Sequence, residues 1–318
     1  MTPKRASAGP SILAVHPGAL GDVILFGHLL SRLGGRVTLA AGGEKARLLA
    51  GAGVVARALD FETLPMHEVF GEAPPAGCRL RALLGTHERL ISCFGGGDRR
   101  AEQRLAAMCC CGEAAFLPVR PPEGFRGHLL DLWSDLLGVP PAAAAEVQPW
   151  HIPSAWRKSA REELRRLGLA PRQAYLVVHP GSGSAGKCWR LRNFVELASH
   201  LAAPGGLQVL FVLGPVELER WKRETVSRLG RRFPVLLSPP LEVLAGILAS
   251  GAAYVGNDSG VSHLAAATGA TTTLLFGPTR VEHFAPLGRS VRTIAAETID
   301  ELAVETVLGQ IRALLPEV

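Results

Sequence analysis

Three glycines and a lysine in the stretch HPGSGSAGKCW, residues 179–189, are spaced as in loops that bind phosphate. Gly181, Gly183 and Gly186 match the G-x-G-x-x-G of a dinucleotide-binding turn. Gly181, Gly186 and Lys187 also match G-x-x-x-x-G-K, which is most of a P-loop. Both patterns place a phosphate on backbone N–H groups near the start of a helix, but they predict different proteins.

Each of the two patterns lacks one residue that its chemistry requires. In a dinucleotide-binding fold an acidic residue follows after about 20 residues, at the end of the next strand, and binds the ribose. Here the next predicted strand ends at Leu213, and the nearest acid, Glu217, comes late. A P-loop continues with Ser or Thr, whose hydroxyl binds magnesium, whereas this chain has Cys188, a poor ligand for that cation.

What the two patterns share leads to a third interpretation. The hydroxyls of Ser182 and Ser184, the backbone amides around Gly183 and the ammonium group of Lys187 could hold a phosphate at the edge of a sheet. This arrangement needs no metal ion, because Lys187 supplies a compact positive charge. A solvated glycine turn that binds nothing is the alternative for these residues.

A second polar stretch, YVGNDSGVSH at residues 254–263, also follows a predicted strand. Asp258 and Ser259 are residue types that cap helices, and a helix of small residues is predicted from Gly260. The start of that helix directs free N–H groups and partial positive charge to the sheet edge where α/β proteins bind ligands. His263 lies one turn into the helix and could reach the same ligand. A buried helix histidine and an ordinary capping aspartate are the alternatives.

The segments that position these residues alternate between short apolar runs and helical patterns, which predicts parallel α/β units. The predicted strands are SILAVHPG, RVTLAAG, RLISCFGG, QAYLVVHPG, LQVLFVLG, PVLLSP, AAYVGND and TTTLLFG. The predicted helices cover residues 20–33, 126–137, 154–169 with Ser154 as N-cap, 189–202, VELERWKRETVSRLG at 216–230, and 299–315. A proline- and alanine-rich stretch at 138–153 predicts a linker between domains 1–150 and 151–318.

The composition limits the classes of protein that the chain can belong to. With 318 residues, of which 47% are hydrophobic and 19% charged, two folded domains are expected and global disorder is excluded. The net charge of +6 fits an anionic partner or an ordinary surface. Nucleic acid is not expected as a partner, because no aromatic and basic platform occurs and the chain has only two tyrosines. Six cysteines without a C-x-x-C pair predict a reducing, cytoplasmic setting and no metal site.

Taken together, the motifs resemble those of glycosyltransferase family 9, the ADP-heptose:lipopolysaccharide heptosyltransferases and their relatives. The resemblance rests on three blocks in the order of the family: GALGDVILFGHLL, HPGSGSAGKCWRLRNFVELASHL and GNDSGVSHLAAATGATTTLLFGPT. With FVLGPVELE, these blocks span nearly the whole chain.

The resemblance implies the GT-B architecture, an α/β fold of two Rossmann-like domains whose parallel sheets face each other across a cleft. The domain 1–150 would bind the acceptor and the domain 151–318 the nucleotide-sugar, and the last helix commonly packs back on the first domain. The implied activity is inverting transfer of a heptose-type sugar from a nucleotide diphosphate donor, ADP-heptose by resemblance, to a lipopolysaccharide core or related glycan. The resemblance implies no cofactor and no metal ion. It does imply peripheral contact of the protein with the cytoplasmic face of the inner membrane.

Individual residues match the functional positions of the family. Asp22, in the GALGD loop, matches the catalytic base, and the positive end of the following helix would keep it ionised. Lys187 matches the lysine that binds the diphosphate. The remaining matches are to donor-binding positions: Ser182, Gly183, Ser184, Asp258, Ser259, Gly260, His263, and either Glu217 or Glu219 for the ribose.

The N-terminal block departs from the family pattern. Where relatives often have a basic residue and serines before LGD, this chain has His16-Pro17-Gly18-Ala19, and beyond residue 35 no acceptor motif is recognisable. Arg99, Arg100 and Arg104 are candidates for meeting an acidic glycolipid, with a solvated charged face as the alternative. A nucleotide-sugar-binding protein without transfer activity and an NAD-dependent oxidoreductase are the alternative functions.

Overall fold

The structure is a computed structural model that describes residues 9–140, 146–170, 174–202, 207–251 and 253–314. The chain divides into two compact units, Met1–Pro141 and Ala142–Val318. Each unit is built on one parallel sheet with helices between the strands, which confirms the predicted α/β class with two Rossmann-like units. Part of the predicted linker, residues 141–145, and residue 315 of the last predicted helix lie outside the described residues.

The first unit has a five-stranded sheet in the order β3-β2-β1-β4-β5. Its strands are β1 Ser11–Val15, β2 Arg36–Ala41, β3 Arg57–Asp60, β4 Arg89–Ser92 and β5 Glu113–Phe116. Its helices are α1 Leu20–Leu30, α2 Gly43–Gly51, α3 Arg79–Leu84, α4 Arg99–Cys109 and α5 Leu129–Leu137. The central strand β1 is an almost continuous buried apolar run, as expected of a parallel strand covered by helices on both faces.

The second unit has a six-stranded sheet in the order β11-β10-β9-β6-β7-β8. Its strands are β6 Tyr175–His179, β7 Gln208–Leu213, β8 Val235–Leu237, β9 Ala253–Asn257, β10 Thr272–Phe276 and β11 Val291–Ala295. Its helices are α6 Ser154–Arg166, α7 Leu191–Leu201, α8 Pro215–Arg220, α9 Arg223–Gly230, α10 Leu241–Leu248, α11 Gly260–Ala267, α12 Val281–Phe284 and α13 Val304–Arg312.

The strand order reverses once in each sheet, and ligands of α/β proteins bind at such points, beyond the carboxyl ends of the strands. In the first unit the reversal lies between β1 and β4, so the turn from β1 into α1, whose first helical turn contains Asp22, borders it. In the second unit it lies between β6 and β9, and these strands lead directly into the two glycine-containing stretches. The topology therefore places both predicted sites at reversal points.

Several predicted helix boundaries differ from the structure; α1, for example, ends at Leu30 and α5 begins at Leu129. The segment predicted as one helix, residues 216–230, forms α8 and α9, because the backbone of Trp221 is extended and its ring packs against the core. The last predicted helix begins with a 3-10 turn, Ile299–Glu301, and α13 starts only after Leu302, whose carbonyl accepts a hydrogen bond from Trp189 Nε1 at 2.9 Å. Ser154 is the first residue of α6, and Pro153 precedes it at the N-cap.

Candidate functional site

The two glycine-containing stretches of the second unit are joined by the buried side chain of Asn257. Its Oδ1 accepts a hydrogen bond from the backbone N–H of Trp189 at 3.0 Å, and its Nδ2 donates to the carbonyl of Pro180 at 2.8 Å. Asn257 is fully buried, so these bonds are not exchanged with water. They fix both ends of the loop 180–189 against the end of β9.

The side chain of Lys187 is held by an ion pair with Asp258. Its Nζ lies 2.8 Å from Asp258 Oδ2, and the Lys187 side chain keeps 34% of its surface exposed while that of Asp258 keeps 10%. An ammonium group carries three donors, so this bond leaves donors for a ligand. The aspartate therefore fixes a cation at the carboxyl edge of the sheet that a ligand can still reach.

The hydroxyl of Ser182 braces the same junction. Its Oγ donates to the carbonyl of Asp258 at 2.6 Å, and the residue is buried, whereas Gly183 and Ser184 are exposed. The three residues predicted to surround a phosphate therefore differ in position, with Ser182 inside the loop and the other two on its surface.

The start of α11 is capped by Ser259, whose hydroxyl accepts a hydrogen bond from the backbone N–H of Ser262 at 3.4 Å. Ser262 in turn donates its hydroxyl to the carbonyl of Asn257 at 2.6 Å. The first helical residue is Gly260, and His263, one turn further on, is buried. The helix therefore begins directly after the Asp258 that holds Lys187, and its partial positive charge adds to that of the Lys187 ammonium group.

Of the two glutamates considered for the ribose, Glu217 faces the glycine loop. It is 4% exposed, its Oε2 accepts from the backbone N–H of Gly214 at 2.7 Å, and its carboxylate lies against Cα of Gly181. Glu219 is on the exposed side of α8. At the end of β6, His179 is buried, and its Nδ1 lies 3.0 Å from the carbonyl of Val212. Burial lowers the pKa of His179, although the negative charge of Glu217 acts to raise it.

We expect Gly181→Ala to weaken nucleotide binding and to lower stability by about 1–3 kcal/mol, the usual cost of overpacking. A Cβ at Gly181 would overlap the carboxylate of Glu217, which would have to move and give up its bond from Gly214 N–H. Calorimetric titration with ADP and thermal unfolding measure the two effects. The matched control is Gly183→Ala, because a Cβ there meets no atom within 4 Å. Equal behaviour of the two variants would contradict the packing of Glu217 on Gly181.

The predicted base, Asp22, lies in the first turn of α1. Its Oδ2 accepts a hydrogen bond from the backbone N–H of Ala19 at 3.2 Å. The preceding glycine is held from both sides, since Gly18 N–H donates to His16 Nδ1 at 3.0 Å and Lys45 Nζ donates to the Gly18 carbonyl at 2.7 Å. The turn from β1 into α1 is therefore held by the ring of His16, within the turn, and by the side chain of Lys45, on α2.

His16, directly after β1, is uncharged at neutral pH. Burial, together with the nearby charge of Lys45, lowers its pKa to about 4. Its ring packs 5.2 Å from that of Phe26 and 6.1 Å from that of Trp133, measured between centroids. The cation that contacts this turn is Lys45, whose Nζ binds the Gly18 carbonyl, and no sequence motif indicated it.

Two buried histidines of this unit, His16 and His28, should make it less stable in mild acid. Burial lowers the pKa of both His16 and His28 from 6.5 to about 4. Between these two pH values the histidines are protonated in the unfolded chain but not in the folded one. Stability is lost as the pH falls through this window, by about 2 kcal/mol for each histidine between pH 7 and pH 5. Denaturant unfolding of wild type and His28→Gln over this range measures the slope. An unchanged slope in the variant would contradict the assignment for His28.

Three side chains of the candidate site were missed by sequence reasoning or given no role. No local pattern indicates that Asn257 joins the two stretches, and Lys45 belongs to none of the motifs. Arg220 lines a cavity of about 210 Å³ between Gly181, Glu217 and Trp221. Each is defined by a contact with a distant part of the chain, so a local pattern gives no sign of it.

Within the described ranges, no three His, Cys, Asp or Glu side chains come together as the ligands of a metal ion would. In the same part of the chain, no helix is both long and apolar enough to cross a bilayer.

Two Rossmann-like units, one with a lysine and a helix start at the reversal of its sheet, are typical of α/β proteins that bind nucleotides. The sequence profile of glycosyltransferase family 9 (heptosyltransferase) matches residues 135–307. The chain therefore belongs to glycosyltransferase family 9, as its motifs predicted, and is a glycosyltransferase of that type. No curated protein sequence matches the chain.

Solved structures with the same fold include three glycosyltransferases. A family 9 glycosyltransferase from Veillonella parvula DSM 2008 has a TM-score of 0.77 at 17% identity, covering 96% of this chain and 97% of its own. E. coli heptosyltransferase WaaC with ADP has a TM-score of 0.69 at 19% identity, with 96% and 99% covered. E. coli ADP-heptose lps heptosyltransferase II has a TM-score of 0.68 at 16% identity, with 96% and 98% covered. Because the sequence identities are below 20%, these similarities show a shared fold.

Proposed function

We propose that the chain is an inverting, metal-independent heptosyltransferase that uses a nucleotide diphosphate donor, ADP-heptose in the first instance. The observation that carries this proposal is the Lys187–Asp258 pair at the reversal of the second sheet, with a Lys187 ammonium that remains accessible. The names of the solved relatives, which include ADP and ADP-heptose, support adenosine as the nucleoside.

The positive charge at this site suits a departing diphosphate. As the bond between the sugar C1 and the diphosphate oxygen breaks, negative charge builds on that oxygen and on the phosphates. Lys187 and the N-terminus of α11 would stabilise that charge, and fixed charges of this kind are among the largest contributions to enzymatic rate. Ser184, Gly183 and Ser259 would supply hydroxyl and amide donors around the phosphates, and Glu217 would accept bonds from the ribose hydroxyls.

Asp22 is proposed as the general base. An acceptor hydroxyl must lose its proton as its oxygen attacks C1 from the side opposite the diphosphate, which inverts the configuration. The carboxylate of Asp22 would take that proton, and the bond from Ala19 N–H to Oδ2 would hold the carboxylate in place.

The acceptor is proposed to be a lipopolysaccharide core or a related glycan, reached at the cytoplasmic face of the inner membrane. Family membership and the lps acceptor in the name of heptosyltransferase II support this choice. Peripheral contact with the membrane follows from the lipid part of such an acceptor.

A donor screen tests the proposal. The full chain is titrated calorimetrically with ADP, UDP, GDP and NAD. Nucleotide release is then followed with ADP-, UDP- and GDP-sugars. We expect ADP to bind most tightly and its sugar donor to be turned over in the presence of acceptor. Preferential binding of NAD would instead support an oxidoreductase, and donor binding without turnover would support a binding protein.

A further inference from the structure

Three phenylalanine rings form a contiguous patch at the carboxyl edge of the sheet in the first unit. Phe61 follows β3 and Phe94 follows β4, and their ring centroids are 5.3 Å apart. Phe70 contacts the same ring of Phe94, with centroids 5.6 Å apart, and is 54% exposed. A large ring held at the surface by other rings is a common element of ligand-binding surfaces.

The patch spans the edge of the sheet that carries the proposed base. Strands β2 and β1 lie between β3 and β4, so the contact of Phe61 with Phe94 bridges three strand spacings of about 4.8 Å each. The residue before Phe94, Cys93, donates its backbone N–H to the carbonyl of Val15 at 2.8 Å. Burial raises the pKa of the Cys93 thiol, and the charge of Asp22 adds to that shift, which puts Asp22 near the same point.

The 3-10 helix Met66–Phe70, which presents Phe70, is anchored on its inner side. Arg104 Nε donates to the carbonyl of Val69 at 3.0 Å, and its Nη2 donates to the carbonyl of Glu68 at 2.9 Å. The Glu68 carboxylate accepts from the backbone N–H of Leu80 at 2.7 Å, and Val69 is fully buried. Phe70 is therefore held at the surface by an anchored 3-10 helix, and Arg104, one of the candidates for meeting the acceptor, binds the backbone of that helix.

Exposed polar groups border the ring. Arg100 Nη2 lies 3.7 Å from Glu72 Oε1, and these side chains are 64% and 89% exposed. Glu72 follows Phe70 by two residues in the chain, so donors and acceptors stand beside the aromatic patch. An aromatic face next to such groups suits a pyranose ring, whose C–H face is apolar and whose rim carries hydroxyls.

We propose that Phe61, Phe70 and Phe94 form the platform on which a sugar ring of the acceptor stacks. The proposal rests on the proposed function, because an acceptor hydroxyl must reach Asp22 and a base at a sheet edge requires its substrate over that edge. The negative face of a phenyl ring attracts the polarised C–H groups of a sugar. Arg100 and Glu72 would then bind hydroxyl groups of the same acceptor.

Titration of the full chain with a deacylated lipopolysaccharide core oligosaccharide tests the platform without requiring turnover. Phe70→Ala and Phe70→Leu are expected to weaken oligosaccharide binding on the order of tenfold, and Phe70→Tyr to keep it within about twofold, because only Tyr retains the ring. Leu136→Ala is the matched control, since Leu136 is equally exposed, at 55%, on α5. ADP affinity should be unchanged in all four variants.

The outcomes separate this inference from the proposed function. Wild-type binding by Phe70→Leu would mean that the patch holds an apolar chain and would overturn the sugar platform, as would wild-type binding by Phe70→Ala. A wild-type chain that binds ADP but no oligosaccharide would also overturn it while leaving the donor site intact. Failure to bind ADP in the same samples would instead count against the proposed function.

Discussion

Asp22→Asn is expected to lower the rate of sugar transfer by about 10²–10⁴, the usual contribution of a general base. The amide keeps the size of the side chain and an oxygen that can accept the bond from Ala19 N–H, but it cannot take a proton. Folding and nucleotide binding should therefore stay near wild type. Product formation with donor and acceptor at saturation, together with calorimetric titration of ADP, measures both parts of the prediction.

The matched control for Asp22 is Asp135→Asn, which makes the same chemical change at an exposed position of α5 in the same unit. Its rate should equal that of wild type. A turnover of Asp22→Asn within tenfold of wild type would show that another group accepts the proton, and the role proposed for Asp22 would be wrong.

Lys187→Met is expected to weaken ADP binding by about 10- to 100-fold, which corresponds to the loss of a charged hydrogen bond worth about 1.5–3 kcal/mol. The reason is that the substitution removes the cation proposed to meet the diphosphate. The affinity for AMP should change much less, because the β-phosphate is the group that AMP lacks. Titrations of both nucleotides into wild type and variant therefore give a difference that a general loss of folding would not produce.

Two further variants make the Lys187 prediction specific. Lys187→Met leaves the Asp258 carboxylate, 10% exposed, without its partner, so Asp258→Asn is added to remove that unpaired charge. Lys222→Met removes an exposed lysine at the start of α9 and should bind ADP as wild type does. An unchanged preference for ADP over AMP in Lys187→Met would exclude the proposed contact with the diphosphate.

The central strands and the edge strand β8 could be predicted from the sequence, but the other three edge strands could not. Strands β6 and β9 are buried along their whole length, so the chain shows continuous apolar runs there. Strands β3 and β5 have four residues each and are half-buried or exposed, and β11 is exposed at three of its five positions. A short strand with one open side has no distinctive pattern, because its partner is defined by the sheet.

The candidate site shows the same division between local and distant signals. Gly181, Lys187 and the capping residue Ser259 stand in recognisable local patterns. The bond from Trp189 N–H to Asn257 joins residues 68 positions apart, and that from Lys45 to Gly18 joins residues 27 apart. Spacing within a motif cannot reveal contacts of this kind, because the strand order creates them.

The most direct measurement is mass spectrometry of a deacylated lipopolysaccharide core acceptor after incubation with the wild-type chain and ADP-heptose, UDP-glucose or a GDP-sugar. We expect the acceptor to gain one heptose with ADP-heptose, with release of an equal amount of ADP. Asp22→Asn should form this product at a rate lower by about 10²–10⁴ under the same conditions. An acceptor that remains unmodified with ADP-heptose but gains a sugar from UDP-glucose or the GDP-sugar would contradict the proposed donor. Failure of all three donors, with the protein folded and ADP bound, would contradict transfer to this acceptor.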